Sequence, residues 1–584
     1  MLVALLAFWW VLNLLLAGFV ELADDEAYYW YFSLTPAWGY FDHPPMTPWL
    51  IALTRCLGGE LGVRFAVTLL QPLGLYLFWT LIRPSQPSWS DAWLYFLIVF
   101  SIPLLQLYGF IATPDAPLMF FTVFFLWSFS RFSLRDTVFN ATLMAVAMAL
   151  LMYSKYHGLL VILFALCTQW HNFRSWKLYY AGLLALILFL PHLWWQYQHD
   201  FASLRYHLVD RVDDGLFAWG NIGGYLLGLL LAFNPLWTIP SIGWMHRVPR
   251  HDDNSSLIVR KALLFIAIGF IGFFLISSLR DNTQAQWLLP VAFAFVALTF
   301  DAATNIPRVS RYVRIAAMTC GVAFLIVRAL LLFNPFDFRG QLWHNREDNK
   351  AIAEIAEGRP VMFMQDYTAS CKYYFYTGNH PTYTLPYLYG RTSQWQYDDV
   401  DTAFCNEELV VSLNENAYAD TVILPSGRPF MYVTIPHFKP LRKVEIESEF
   451  LQKEILADSV IPIRLTLYNP YHYNIVSTDE NPLMITFITR ITQRNQPEIN
   501  FPLTTVLPAM DTASVTLRLP ATCLPPDGSH PYGFSLRYAI ARSCINSPWH
   551  HIEITHNVDS VKLNTNDELR IKKWNWGNSH TPHL

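Results

Sequence analysis

The stretches ADDEAYYW (23–30) and GYFDHPP (39–45) put three consecutive acids, Asp24, Asp25 and Glu26, and a fourth, Asp42, into one short polar segment. Further along, ATPDAPL (112–118) carries Asp115, SKYHG (154–158) carries Lys155 and His157, and RDNTQAQW (280–287) carries Arg280 and Trp287. Acids, bases and cations gathered into a few clusters, rather than scattered, are the ingredients of an active site. The two cations suit phosphate, because a guanidinium binds its oxygens in pairs and a cation kept at a lipid surface commonly meets a phosphate. Asp25, Asp42 and His43 also offer oxygen and nitrogen ligands for a metal ion, although their spacing is no diagnostic metal signature.

Each of these residues also has a plainer structural reading. The acids around Asp25 would serve as a solvated helix cap, but Tyr28, Tyr29 and Trp30 mark a segment held at headgroup level, where an acid is kept against lipid. Asp42 would initiate a turn before proline. Pro44 and Pro45 bar a helix immediately after it, so its side chain sits on a fixed turn with Tyr40 and His43. Asp115 taken alone reads as a helix start, with Thr113 or Asp115 capping and Pro114 or Pro117 in the first turn.

The elements that must position these groups are membrane spans. The 584 residues are 53% hydrophobic, 16% aromatic and only 14% charged, with a mean hydropathy of +0.26, too apolar for a soluble protein of this length. Residues 1–20 carry no charge and would rise about 30 Å as a helix, the thickness of a bilayer core. No Lys or Arg precedes that run, which favours an anchor over a cleaved signal peptide. Further apolar runs near 62–82, 91–110, 115–130, 138–152, 156–169, 178–194, 219–243, 262–279, 286–302 and 315–333 predict about eleven spans. Loops after even-numbered spans carry twelve Lys and Arg; those after odd-numbered spans carry five, Arg55, Lys155, Arg205, Arg211 and Arg280. The positive-inside rule then puts the N-terminus in the cytoplasm and gathers all the polar clusters at the outer mouths of the helices, with everything after residue 335 outside.

In order and spacing, LADDEAYYWYFS, WGYFDHPPMTPWLI, ATPDAPL and SKYHGLL, with the later RDNTQAQWLLP and GRTSQWQYD, resemble the GT-C superfamily of membrane glycosyltransferases. The branch concerned is the bacterial one similar to dolichyl-phosphate-mannose protein mannosyltransferases and to the aminoarabinose transferase of lipid A. The resemblance covers residues 1 to about 400; the first two motifs are the specific ones, and Asp24 is an addition to the family's pattern. It implies transfer of a sugar from a polyprenyl-phosphate carrier to an acceptor at the non-cytoplasmic face of the plasma membrane, with no nucleotide-sugar at the site. It also implies roles. Asp25, with Glu26 beside it, matches the first-loop acid that takes the proton from an acceptor hydroxyl or orients the base that does. Asp42 matches the acid before the double proline, which positions the acceptor or binds a metal, and Asp115 matches the second acidic motif. Lys155 and Arg280 match positions that hold the donor phosphate, and Tyr40, His43, His157 and Trp287 would position substrate. The residue types agree with that chemistry, since displacing a lipid phosphate from an anomeric carbon builds positive charge on the sugar and negative charge on the leaving group.

After residue 335 the long apolar runs stop. Residues 336–440 mix a helix around AIAEIAEG with strand-like RPVMFMQ and PFMYVTIPHF, a small α/β unit. Residues 441–584 read as strands at regular spacing, IPIRLTLYN, LMITFITRITQ, ASVTLRLP, YGFSLRYAIA and HHIEITH, an Ig-like β-sandwich. The expected fold is therefore a polytopic α-helical GT-C domain (1–335) followed by these two external domains. Cys371, Cys405, Cys523 and Cys544 all fall in the external half, where disulfides are permitted.

A net charge of −4 and the absence of a basic stripe exclude a nucleic-acid partner. Two rivals to the enzyme remain. A transporter or flippase of lipid-linked sugars would place its charges at mid-bilayer or on both faces. A receptor or scaffold would use the sandwich and need only an anchor, for which eleven spans are far too many.

Overall fold

The computed structural model describes residues 1–207, 219–244, 254–279, 283–364, 366–385, 393–398, 400–413, 419–452, 454–456, 459–489, 498–540, 547, 550–556 and 560–565. They form two compact units, Met1–Trp343 and His344–Leu584. The first unit runs on past residue 335, where a bridge between Gly340 and Trp343 closes a turn whose Leu342, like Leu331 and Leu332, packs against the cluster of Leu16, Val20, Phe110 and Ile111.

The first unit is helical. α1 (Leu2–Phe19) is the uncharged opening run, and α2 (Asp24–Leu34) and α3 (Met46–Thr54) lie on either side of the Asp42 turn. α4 (Gly59–Ile82), α5 (Trp89–Phe100), α6 (Pro103–Leu107), α7 (Asp115–Leu134) and α8 (Val138–Ser154) follow. Next come α9 (Gly158–Leu166), α10 (Trp176–Gln198), α11 (Ala202–Arg205), α12 (Trp219–Ala232) and α13 (Pro235–Trp244). α14 (Asn254–Ser277), α15 (Leu289–Asn305) and α16 (Pro307–Phe333) complete the unit. Among the described residues seven helices, α1, α4, α7, α10, α14, α15 and α16, are long and apolar enough to cross a membrane, and the pair α12–α13, bent by 87°, brings the number to as many as eight.

Three of the expected runs give shorter helices: α5 has 12 residues, α8 has 17 and α9 has 9, against about 20 for a straight crossing. The 91–110 run breaks at Ser101 because Pro103 has no amide hydrogen to continue the ladder of α5. The freed groups are satisfied from elsewhere. Asn234 donates to the Ser101 carbonyl at 2.9 Å and Trp237 to its hydroxyl at 2.9 Å, as a membrane interior requires. One apolar core, with Trp9, Phe78, Phe125, Phe270 and Phe293 all buried, holds the helices together.

The second unit begins with α17 (Asn345–Ala356), whose apolar face covers a sheet built from β1 (Val361–Met364), β2 (Thr382–Leu385), β3 (Leu409–Leu413), β4 (Asp420–Ile423) and β5 (Pro429–Ile435). The strand order is β2-β1-β3-β5-β4. β1 pairs in parallel with β2 and β3, whereas β5 runs antiparallel to β3 and β4. The crossover from β1 to β2 is α18 (Tyr367–Tyr376).

Two further sheets follow, built from β6 (Glu445–Phe450), β7 (Glu454–Leu456), β8 (Val460–Tyr468), β9 (Leu483–Thr489), β10 (Glu498–Pro502), β11 (Thr512–Pro520), β12 (Gly528–Tyr538), β13 (His550–His556) and β14 (Ser560–Thr565). Their orders are β10-β9-β12-β13-β14-β7 and β11-β8-β6. β8 shows why they form: Ile461, Ile463, Leu465 and Leu467 alternate inward and are all fully buried. Among the described residues Cys371, Cys405 and Cys523 are free thiols; Cys544 lies outside the described residues.

Candidate active site

The frame of the site starts at the first turn of α2, where Asp24, Asp25 and Glu26 all lie. They separate by environment: Asp25 is exposed, Asp24 half-buried and Glu26 fully buried. Glu26, expected among the catalytic acids, has both oxygens occupied. Arg64 of α4 donates to Oε1 at 2.7 Å and to Oε2 at 2.5 Å, the Ala23 amide donates to Oε2 at 3.0 Å, and the Ala112 amide donates to Oε1 at 2.8 Å. The same guanidinium closes the end of α1 through the Val20 carbonyl at 2.6 Å and reaches the Glu21 carbonyl at 2.8 Å. This is a buried, hydrogen-bonded ion pair. Removing one partner from such a pair costs about 3–5 kcal/mol, because the other charge is left without compensation. Its geometry makes Glu26 a clamp between the Asp25 turn and the segment that precedes Asp115.

Asp42 is 1% exposed, in the non-helical turn expected from Pro44 and Pro45, with α3 starting at Met46. His43 Nδ1 is 3.1 Å from its Oδ1, and His207 Nε2 donates to its carbonyl at 2.8 Å. The His43 ring lies against Tyr29 of α2 at a centroid distance of 5.5 Å. Tyr29 is four positions after Asp25, so the two share a helix face, and the Asp42 turn sits beside the face that carries Asp25. Tyr40, expected to position substrate, is committed to the frame: its hydroxyl accepts from the Ala37 amide at 3.0 Å and donates to the Phe32 carbonyl at 3.0 Å, and its ring stacks on Phe32.

α10 holds this turn from the other side. His192 donates from Nδ1 to the Trp38 carbonyl at 2.8 Å, which leaves Nε2 to accept from the Tyr156 hydroxyl at 3.0 Å. Gln196 donates to Tyr156 and to Ser203, and Ser203 donates to the Tyr40 carbonyl. The chain approaches α10 so closely at Gly39 that any Cβ there would collide with Trp195 and His192.

Asp115 opens α7 behind Pro114, with no side-chain cap on that helix. Its carboxylate instead accepts from Lys155 Nζ at 2.7 Å, and both residues are buried. The structure thus joins an expected acid to an expected phosphate-binding cation. Tyr108, which follows α6 and was not singled out in the sequence, lies within electrostatic reach of both Asp115 and Asp25. The buried ion pair and the exposed carboxylate therefore both act on the same phenol.

His157 and Trp287 come together. Their ring centroids are 5.6 Å apart, and both pack on Phe274. Arg280 lies outside the described residues. No group of three or more His, Cys, Asp or Glu among the described residues is arranged to hold a metal ion, so Asp25, Asp42 and His43 are not assembled as a ligand set. Sequence reasoning missed Arg64, Tyr108, His192 and His207. For Arg64 a signal existed, since a cation inside an apolar run is itself a reason to look for a partner.

Residues 42–195 match the family described as dolichyl-phosphate-mannose-protein mannosyltransferase, a segment that takes in Asp42, Asp115, Lys155 and His192. The lipid A galacturonosyltransferase RgtD of Rhizobium johnstonii is 27% identical over 262 residues, covering 40% of this chain and 52% of that protein. The chain thus spans about half the length of this curated relative. ArnT of Cupriavidus metallidurans, solved bound to undecaprenyl phosphate, shares the fold with a TM-score of 0.53 at 15% identity, over 74% of this chain and 97% of that one. In its membrane-length helices, the matched segment and the shared fold, the chain is similar to the GT-C superfamily of membrane glycosyltransferases.

Proposed function

We propose that the protein transfers a sugar from a polyprenyl-phosphate-linked donor to an envelope acceptor, foremost a glycolipid of the lipid A type, with a glycan or protein as the other acceptor classes. Transfer takes place at the non-cytoplasmic face of the inner membrane, by an inverting single displacement. The observation that carries this reading is the buried Asp115–Lys155 pair, at 2.7 Å, sharing the Tyr108 environment with exposed Asp25. The lipid A substrate of the relative and the undecaprenyl phosphate bound to the structural neighbour support the same donor and acceptor classes.

In this reading the acceptor hydroxyl oxygen forms the new bond to the anomeric carbon as the bond from that carbon to the phosphate oxygen breaks, and the leaving phosphate keeps the electron pair. The proton of the hydroxyl goes to the Asp25 carboxylate. Lys155, poised on Asp115, turns to the phosphate as its charge grows, and Arg280 is the second cation for it. Asp42 and His43 hold the acceptor side of the turn, and His157 and Trp287 line the donor side.

The test is a matrix assay with purified protein, in which synthetic undecaprenyl-phosphate sugars are offered with lipid A, a short glycan or a peptide, and products are read by mass spectrometry. A lipid A species heavier by one glycosyl residue, lost in Asp25→Asn, is the expected result. Absence of any glycosylated product with every donor would overturn the reading.

A further inference from the structure

Arg328 lies in α16, the last helix of the first unit, five residues before its end at Phe333, and it is 7% exposed. Its partners are neutral. Nε donates to Gln106 Oε1 at 2.6 Å, and Nη2 donates to Asn13 Oδ1 at 2.8 Å and to the Gln106 carbonyl at 3.2 Å. Among the described residues its Nη1 meets no acceptor. A buried cation without a carboxylate gives up its hydration for amide hydrogen bonds alone, and an apolar residue of the same volume would avoid that loss. Packing therefore does not explain an arginine at this position.

The partners explain it better, because they converge on the stretch that leads to Asp115. Gln106 belongs to α6 and donates onward to the Phe100 carbonyl at 2.5 Å. Asn13 of α1 donates to Gln71 of α4 at 2.7 Å, and Gln71 donates to the Leu105 carbonyl at 2.6 Å. The amide of Gln71 lies so close to Gly109 that a Cβ there would have to displace it. One turn further along α16, Leu331 and Leu332 pack against the cluster of Leu16, Val20, Phe110 and Ile111. α16 therefore grips residues 105–111 twice, once by the guanidinium fork and once by apolar contact, in the stretch that carries Tyr108 and leads to Asp115.

We propose that Arg328 is a positioning residue for sugar transfer: from within the membrane its guanidinium bridges α1 and α6 and sets the placement of the Tyr108–Asp115 segment against Asp25. This rests on the reading of Asp25 and Asp115 as active-site residues. The fork matters as much as the charge, since a lysine offers a single point donor in place of two aligned N–H groups.

The experiment compares Arg328→Met, Arg328→Lys, Gln106→Leu and the Arg328→Met/Gln106→Leu double variant in full-length protein purified in detergent. A synthetic undecaprenyl-phosphate sugar and lipid A serve as substrates, and turnover is normalised to folded protein by size-exclusion recovery. Each single variant is expected to lose about 10- to 100-fold in kcat, the range that misplaced catalytic groups produce, with donor KM within about twofold. The double variant should be no worse than the worse single one, because both break one bridge. Arg328→Lys should fail to restore kcat. Wild-type kcat per folded molecule in Arg328→Met, multiplicative losses in the double variant, or full rescue by lysine would each overturn the proposal. Asp115→Asn run alongside separates the two ideas: retained turnover there would sink the reading of the site, whereas loss there with normal Arg328→Met sinks only the positioning role.

Discussion

Lys155 Nζ and Asp115 Oδ1 lie 2.7 Å apart with their side chains 10% and 6% exposed, so the cation proposed for the donor phosphate is held by a carboxylate. Two consequences follow from that pairing, one for folding and one for turnover.

Lys155→Ala should lower stability by about 3–5 kcal/mol, because it leaves Asp115 buried without compensation, and should raise the reaction barrier by roughly 2 to 4 kcal/mol. The double variant Lys155→Ala/Asp115→Ala should recover most of the stability and none of the activity. Thermal unfolding in detergent alongside turnover checks both halves, and activity returning with stability would show the pair to be purely structural.

Asp25→Asn should abolish transfer, with unfolding and donor binding close to wild type, since the side chain is exposed and the change removes a base and almost no volume. Asp24→Asn serves as the comparison and should keep most of the turnover. If the two variants exchanged phenotypes, the base would be Asp24.

Glu26→Gln should behave as a folding variant, because it leaves Arg64 buried among carbonyls without its counter-charge. A loss of about 3–5 kcal/mol in stability is expected. Arg64→Met should do the same, and the pair changed together should be milder than either alone. Denaturant-dependent loss of tryptophan fluorescence is the readout; a Glu26→Gln protein of normal stability and no activity would return Glu26 to the catalytic acids.

The thiols supply a test of sidedness and of pH. Burial, with Asp366 and Asp398 adding to it, pushes the Cys371 thiol well above its ordinary range. The thiolate that maleimides attack is therefore scarce at pH 7 to 8 and grows only at more alkaline pH. Cys56 is exposed, between the Asp42 turn and α4, outside the cell if the N-terminus is cytoplasmic. A membrane-impermeant maleimide on spheroplasts at pH 7 should label Cys56 and spare Cys371 until denaturant is added. Labelling of Cys56 only after permeabilisation would invert the topology.

Much of this molecule could be read before its structure, and the gaps follow a pattern. β1, β5, β8, β9, β11, β12 and β13 each fall on a strand-like run named from the sequence. β2, β4, β7 and β10, three to five residues long, fall on no such run, and neither do β3, β6 and β14. The carboxylate motifs were legible because acids and prolines stand out against an apolar background. Their relationships were not. The pairing of Asp115 with Lys155 spans 40 positions, and that of Glu26 with Arg64 spans 38, separations at which no local pattern reports contact. A count of loop charges also passes over Arg64 and Arg328, because both sit inside apolar runs and contribute to no loop. Arg64 pairs with Glu26, and Arg328 joins Asn13 to Gln106. The break at Ser101 was signalled by Pro103, but the run on either side of it was apolar enough to be taken as one span.

The contact between Asn13 and Arg328 joins positions 315 residues apart, and it bears on how the protein is made. The guanidinium that bonds Asn13 Oδ1 is translated long after α1, whereas Gln71, the acceptor for the same amide's Nδ2, follows only 58 positions on. The arginine arrives with the last helix and finds its acceptors already arranged, so its escape from water waits on the assembly of α1, α4 and α6. A chain that stops short of α16 therefore leaves Asn13 and Gln106 without the guanidinium that joins them.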